Sequence, residues 1–160
     1  MIDKTQVLAA LVAKLQAELS LLTKAAHMAK DEATNEESRA ESKWDTRGQE
    51  AAYLAEGQAK IATELVEAIN LIRDLDITPA PEFGGIRPGS LFALDQPDGE
   101  FWALMAPKAG GTDFSFKGRD YTVVTPASPL GREVLGKRVG ETANMLIRRR
   151  PHPCQILKVL

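Results

Sequence analysis

The chain has 160 residues, 44% of them hydrophobic and 26% charged, with a formal net charge of −2. That size suits one ordinary domain or a helical hairpin joined to a small domain of about 80 residues. Its single cysteine, Cys154, excludes an intrachain disulfide and a thiolate metal cage, and reads as a small buried hydrophobe in a terminal strand.

Charge divides the chain unevenly. Residues 1–76 hold nine Lys/Arg against fourteen Asp/Glu, and residues 77–160 hold eleven against eight, so an acidic first part precedes a mildly basic second part. The first part is helical in pattern. Leu8, Leu11, Leu15, Leu19, Leu22, Ala26, Ala29 and Ala33 ascend by threes and fours, and Ala51, Leu54, Gln58, Ile61, Leu65, Ala68, Ile72 and Leu75 descend in the same way. Leu8 with Leu75, Leu11 with Ile72, Leu15 with Ala68, Leu22 with Ile61 and Ala29 with Leu54 mirror one another about Glu41 and Ser42. The spacing predicts an antiparallel coiled-coil hairpin over 1–76, with a seam of Leu8, Leu11, Leu15, Leu22, Ile61, Leu65, Ile72 and Leu75. About 35 helical residues at about 1.5 Å each make an arm of roughly 50 Å.

The tip of that hairpin, near 36–50, is acidic: Asp31, Glu32, Glu36, Glu37, Glu41, Asp45 and Glu50 outnumber Arg39, Lys43 and Arg47. Such runs are commonly solvated helix faces, but here the densest acids coincide with the turn that apolar pairing places independently. Trp44, beside the turn, has no core to enter and reads either as a partner contact or as a cap on the last coiled-coil layer. Gly57 interrupts the descending helix.

Thr78-Pro79-Ala80-Pro81, Gly84-Gly85 and Pro88-Gly89 predict a linker over 77–89. A C-terminal domain over 90–160 follows. Strands are expected at Ser90–Leu94 and Phe101–Ala106 around an Asp98-Gly99 turn, then at Phe114–Phe116 and Tyr121–Val124 around Lys117-Gly118. Ser128-Pro129 with Gly136 frames one short helix. Ala143–Arg150 and Gln155–Leu160 read as two strands joined by Pro151-His152-Pro153. The fold class is therefore α+β, with a mostly antiparallel sheet and one helix behind the hairpin. Arg148-Arg149-Arg150 reads as a solvated strand end, since alternate strand residues face opposite ways. His27 and His152 lack a second ligand at metal spacing, and no nucleophile triad or phosphate-cradling glycine loop is recognisable. There is no signal-peptide pattern and no apolar run nearing ~20 residues, so a soluble, cytoplasmic protein with no membrane contact is expected.

This layout resembles the Gre transcript-cleavage factors of bacterial RNA polymerase. The local match is Thr125-Pro126-Ala127-Ser128-Pro129-Leu130-Gly131-Arg132-Glu133-Val134-Leu135-Gly136-Lys137-Arg138-Val139-Gly140-Glu141, which is similar to the family's Ser-Pro-(Ile/Leu)-(Ala/Gly), short helix, Gly-Lys and Gly-Asp. The resemblance implies an FKBP-like C-terminal domain and RNA polymerase as partner, with Ser128, Pro129, Leu130 and Trp44 as contacts. It implies a monomer that is no enzyme itself but enters the secondary channel and stimulates cleavage of backtracked RNA, touching nascent RNA only indirectly. In that role tip carboxylates act in trans and help hold a Mg²⁺ shared with the polymerase; Asp45 is the first candidate, with Glu50 and Glu41. Gre tips resemble Asp-Leu-Ser-Glu-Asn-Ala-Glu-Tyr. Here an ungapped alignment on Tyr53 puts Thr46 and Gln49 at the metal-holding positions, and a one-residue slip on each side brings in Asp45 and Glu50. Three other readings stand beside this one: a channel-binding modulator or inhibitor without cleavage activity, an FKBP-like prolyl isomerase on a coiled-coil stalk, and a generic coiled-coil adaptor with no polymerase link, which leaves the C-terminal motif without explanation.

Overall fold

The computed structural model describes residues 2–34, 47–78 and 84–160. Two long helices come first, α1 over Lys4–Thr34 and α2 over Arg47–Arg73. Both are free of internal proline and rich in Ala, Leu, Lys and Glu, the residues that lose least on entering a helix. Asp3 starts α1, its carboxylate accepting from the Gln6 N–H at 3.3 Å.

The chain divides into two compact units, one of Met1–Val12 with Asn70–Leu160 and one of Ala13–Ile69. The division cuts both helices, whereas the sequence pattern places its boundary at 77–89. Within Ala13–Ile69, Leu15, Ala68 and Ile69 are buried and Leu22 and Leu65 half-buried. A cavity of about 430 Å³ lies between Thr23, Ala26, His27 and Lys30 of α1 and Glu56, Ala59 and Ala62 of α2. Two residues of the expected descending stripe, one of them in the expected seam, lie outside this packing: Leu54 is 57% and Ile61 47% exposed. The inward stripe keeps Gln58, Leu65, Ala68 and Ile72 of the expected one and adds Ala62 and Ile69. From Leu65 a step of three or of four both suit a helical stripe; the bulkier Ile61 suggests four, and the fold takes three, to Ala62. By length and composition Lys4–Glu32 is apolar enough to cross a bilayer, contrary to the expectation from sequence. Lys14 and Glu18 punctuate that stretch, and Val7, Leu11 and Leu15 are buried within the protein.

The larger unit holds a six-stranded sheet in the order β3-β4-β2-β1-β6-β5, from β1 (Leu91–Gln96), β2 (Gly99–Met105), β3 (Asp113–Phe116), β4 (Arg119–Val124), β5 (Thr142–Ile147) and β6 (Arg150–Val159). The sheet is mixed. β2 and β4 pair in parallel, Ala103–Met105 against Thr122–Val124, because the β3–β4 hairpin folds back with β4 innermost. A short helix, α3 (Pro129–Val134), precedes β5. One face of the sheet, with Phe92, Leu94, Ala103, Met105, Val124, Cys154 and Ile156, shares a core with Val134 of α3 and Ile86. Burial pushes the Cys154 thiol pKa upward, with a further push from Asp95, so the thiol stays protonated and inert. The other face buries Leu91, Ala93, Trp102, Leu104, Tyr121 and Val123. Val7, Leu11 and Ile72 are buried in the same unit, and Lys117 Nζ donates to Gln6 Oε1 at 2.8 Å, tying α1 to the β3–β4 turn.

The described part of the expected linker, 84–89, is built into this unit. Ile86 is 1% exposed; its N–H donates to Lys137 O at 2.8 Å, and the Gly136 N–H donates back to Ile86 O at 2.7 Å. Gly85 lies so close that a Cβ there would stand 2.0 Å from Gly136 O. Arg87 reaches Asp76, Nη1 to Oδ2 at 2.9 Å, while Asp76 Oδ1 accepts from Thr78 Oγ1 at 2.7 Å and Thr78 N at 3.0 Å. The Thr78 bonds first, then Arg87, hold the Asp76 carboxyl well below the usual carboxylate range. A depressed folded-state pKa stabilises the fold above the unfolded value, near about 3.9 for Asp, and that contribution is lost as pH falls through the carboxylate range. Asp76→Asn is therefore expected to lower the melting temperature slightly at pH 7, and the gap to the unmodified chain should narrow steadily in melts at lower pH.

The last hairpin differs from expectation. Its turn is Arg148-Arg149, with φ of 50° and 66°, between the Ile147↔Arg150 pair, and Pro151, His152 and Pro153 lie inside β6. Prolines fit there because the Ile156 N–H and C=O face the β5 side, bonding Glu141 O and the Gly140 N–H. By strand alternation His152 and Cys154 share that orientation, and the N–H positions of Pro151 and Pro153 point the other way. Lys117-Gly118 makes a similar turn, with φ of 49° and 74°, using the glycine such geometry favours. Two consecutive arginines in left-handed conformation cost roughly 1–2 kcal/mol each, so the turn sequence opposes its own geometry.

Candidate docking groove

Between Val124 and β5 the chain turns sharply. Thr125 O accepts both the Ser128 N–H at 3.0 Å and the Ser128 hydroxyl at 2.8 Å, and Ser128 Oγ in turn accepts from the Gly131 N–H at 3.0 Å. Ser128 is thus the N-cap of α3 and Pro129 its first helical residue, where a missing N–H costs nothing. Gly131 completes the corner, since a Cβ there would sit 1.8 Å from Thr125 O. With its backbone fixed, α3 turns Val134 into the core and leaves Ser128, Pro129 and Leu130 on the wall of a groove of about 740 Å³.

The remaining lining comes from distant segments: Phe101 of β2, Gly111, Thr122–Val124, Arg132 and Glu133 of α3, Asn144, Met145 and Leu146 of β5, and Pro151 of β6. The groove is open and largely apolar. Leu146, on its lip, is 63% exposed. Glu133 is already engaged, accepting from the Asn144 N–H at 3.2 Å and lying 4.0 Å from Lys137 Nζ. Phe101 is the single aromatic side chain in the lining.

The sequence of this chain matches no family model and no curated protein. Among solved structures it is similar to GreA factor homolog 1 (Gfh1) of Thermus thermophilus, with 15% identity and a TM-score of 0.40 over 93% of this chain and 94% of that one. Gfh1 of Thermus aquaticus is similar at 18% identity and a TM-score of 0.40, over 97% and 92% of the two chains.

The structure thus brings three of the seven candidate site residues, Ser128, Pro129 and Leu130, onto one surface. Glu41, Trp44 and Asp45 lie outside the described residues; Glu50 falls in the first turn of α2, with its side chain outside the described set. Among the described residues no three His, Cys, Asp or Glu side chains group as metal ligands. Sequence reasoning missed Met145, Leu146 and Pro151 as groove residues.

Proposed function

We propose that this chain is a soluble, cytoplasmic transcription factor that binds RNA polymerase through the groove. The observation that carries the reading is that the segment resembling Gre factors, Ser128-Pro129-Leu130, forms the wall of an open apolar groove, with Leu130 seated at once against the core and in that wall. On this reading the unit below it is FKBP-like, and α1 and α2 form an antiparallel coiled-coil hairpin that enters the secondary channel as a monomer.

In the same proposal the tip stimulates cleavage of backtracked RNA by the polymerase's own centre, so the chain is not itself an enzyme and meets nascent RNA only there. The donor chemistry suits Mg²⁺: Asp45, Glu50 and Glu41 offer hard carboxylate oxygens, and Mg²⁺ commonly takes only one or two of these beside water and phosphate. When bound, the ion would supply Lewis-acid activation of water. Asp45 would carry the principal negative charge, with Glu50 or Glu41 in support, and Trp44 would rest against the channel wall. One observation favours a second reading, a channel-binding modulator without cleavage: the ungapped tip alignment puts Thr46 and Gln49, neither of them charged, at the carboxylate positions.

Leu146→Asp tests the docking. The side chain is exposed, so melting should stay unchanged, while a charge set into an apolar contact should weaken binding to core RNA polymerase by about tenfold or more. Equal affinity of the two proteins in a sedimentation or fluorescence titration would move the contact elsewhere.

A further inference from the structure

We infer that the partner segment seated in the groove is an apolar stretch of protein flanked by acidic side chains, and that Arg148, Arg149 and Arg150 face those acids at the groove's end. The inference rests on the docking reading and names the chemistry of what docks.

Strand β5 links the two features. Met145 and Leu146 line the groove; Ile147, next after Met145 on its face, lines an adjoining recess of about 480 Å³ together with Arg148, Arg150, Pro151 and His152. Pro151 belongs to both walls. The triplet is not a strand end with alternating directions: two of its members are the turn itself, and all three are exposed. None makes a side-chain hydrogen bond or ion pair with another described residue. From Thr142 to Leu160 the chain contains no Asp or Glu, and Glu133, the acid on the groove wall, is held by Lys137 and the Asn144 N–H. Among the described residues the positive charge at this end therefore has no counterpart. A turn that would be easier to form from Asn-Gly is built from the two side chains best suited to carboxylates. The groove beside it is apolar, with Phe101 as its one ring, which suits an amphipathic protein segment better than stacked bases.

Arg148→Asn with Arg149→Gly removes two charges and installs the sequence this turn prefers, so the double variant should melt at or above the unmodified chain. Binding is measured at several salt concentrations with two probes. One is core RNA polymerase; the other is a synthetic helical peptide with leucines along one face and glutamates beside them, compared with its glutamine version. The unmodified chain should prefer the glutamate peptide. The double variant should lose about tenfold in affinity for that peptide and for polymerase at low salt, with a flatter salt dependence for both. Equal binding of the two peptides, or undiminished polymerase binding by the double variant, overturns the acidic-partner inference while leaving groove docking to the Leu146→Asp result. Preference for the glutamate peptide without polymerase binding supports the inference and removes the polymerase. Single-stranded RNA is titrated as a further probe: if the double variant loses binding to it while peptide and polymerase binding stay intact, the inference is overturned in favour of nucleic acid.

Discussion

Replacing Leu15 by Asp is expected to strip much of the helical signal from the chain and lower its melting temperature sharply. Leu15 is 1% exposed in a unit whose described residues are all in two helices, and Ala68 and Ile69 are the other buried residues among those described. A carboxylate buried at that point is stripped of its hydration, a cost of several kcal/mol against a total stability of about 5–15 kcal/mol. Leu21, further along the same helix and exposed, is the control: Leu21→Asp should leave both helicity and melting as they were. Circular dichroism on the two variants decides the matter. If Leu15→Asp retains full ellipticity and melting, the helices do not depend on each other and the proposed hairpin falls.

The second large effect concerns the tip. Asp45→Asn keeps the size of the side chain and much of its hydrogen bonding while removing the charge that would attract a hard cation. Under the cleavage reading, the variant should lose most of its Mg²⁺-dependent stimulation of RNA cleavage in a stalled, backtracked elongation complex, with polymerase affinity unchanged. If the unmodified chain binds but never accelerates cleavage at any Mg²⁺ concentration, the modulator reading replaces it. If Asp45→Asn cleaves like the unmodified chain, the proposed function survives and the carboxylate role passes to Glu50 or Glu41.

Much of the fold was legible wherever one residue type dictates one local geometry. Lys117-Gly118 and Ser128-Pro129 marked a turn and a helix start because glycine and proline restrict the backbone directly. The last hairpin was misread for the same reason: Pro151-His152-Pro153 carries the signs of a break, whereas Arg148-Arg149 carries none, and only pairing with β5 shows that the prolines face away from the ladder. The parallel β2–β4 pair was invisible because it depends on which strand of the β3–β4 hairpin lies inside. Along α2, Ile61 and Ala62 were equally compatible with a helical stripe, and bulk pointed to the wrong one. The groove was half legible. Its α3 wall is one contiguous segment, but Phe101, Met145 and Pro151 reach it only through the sheet order.

The proline pair in β6 also bears on how the isolated chain behaves at high concentration. β6 pairs with β1 only through Ile156, Lys158 and Val159, so its earlier residues have β5 on one flank and no strand among the described pairs on the other. An unpaired flank of that kind ordinarily offers a row of N–H donors on which a strand from a second molecule can grow, the route to edge-to-edge aggregation. Pro151 and Pro153 delete two successive donors from that row. The opposite border of the sheet, β3, is only four residues long and carries Asp113 and Ser115 on its exposed positions. The open flank of β6 and the β3 border are thereby made poor templates for fibrillar growth.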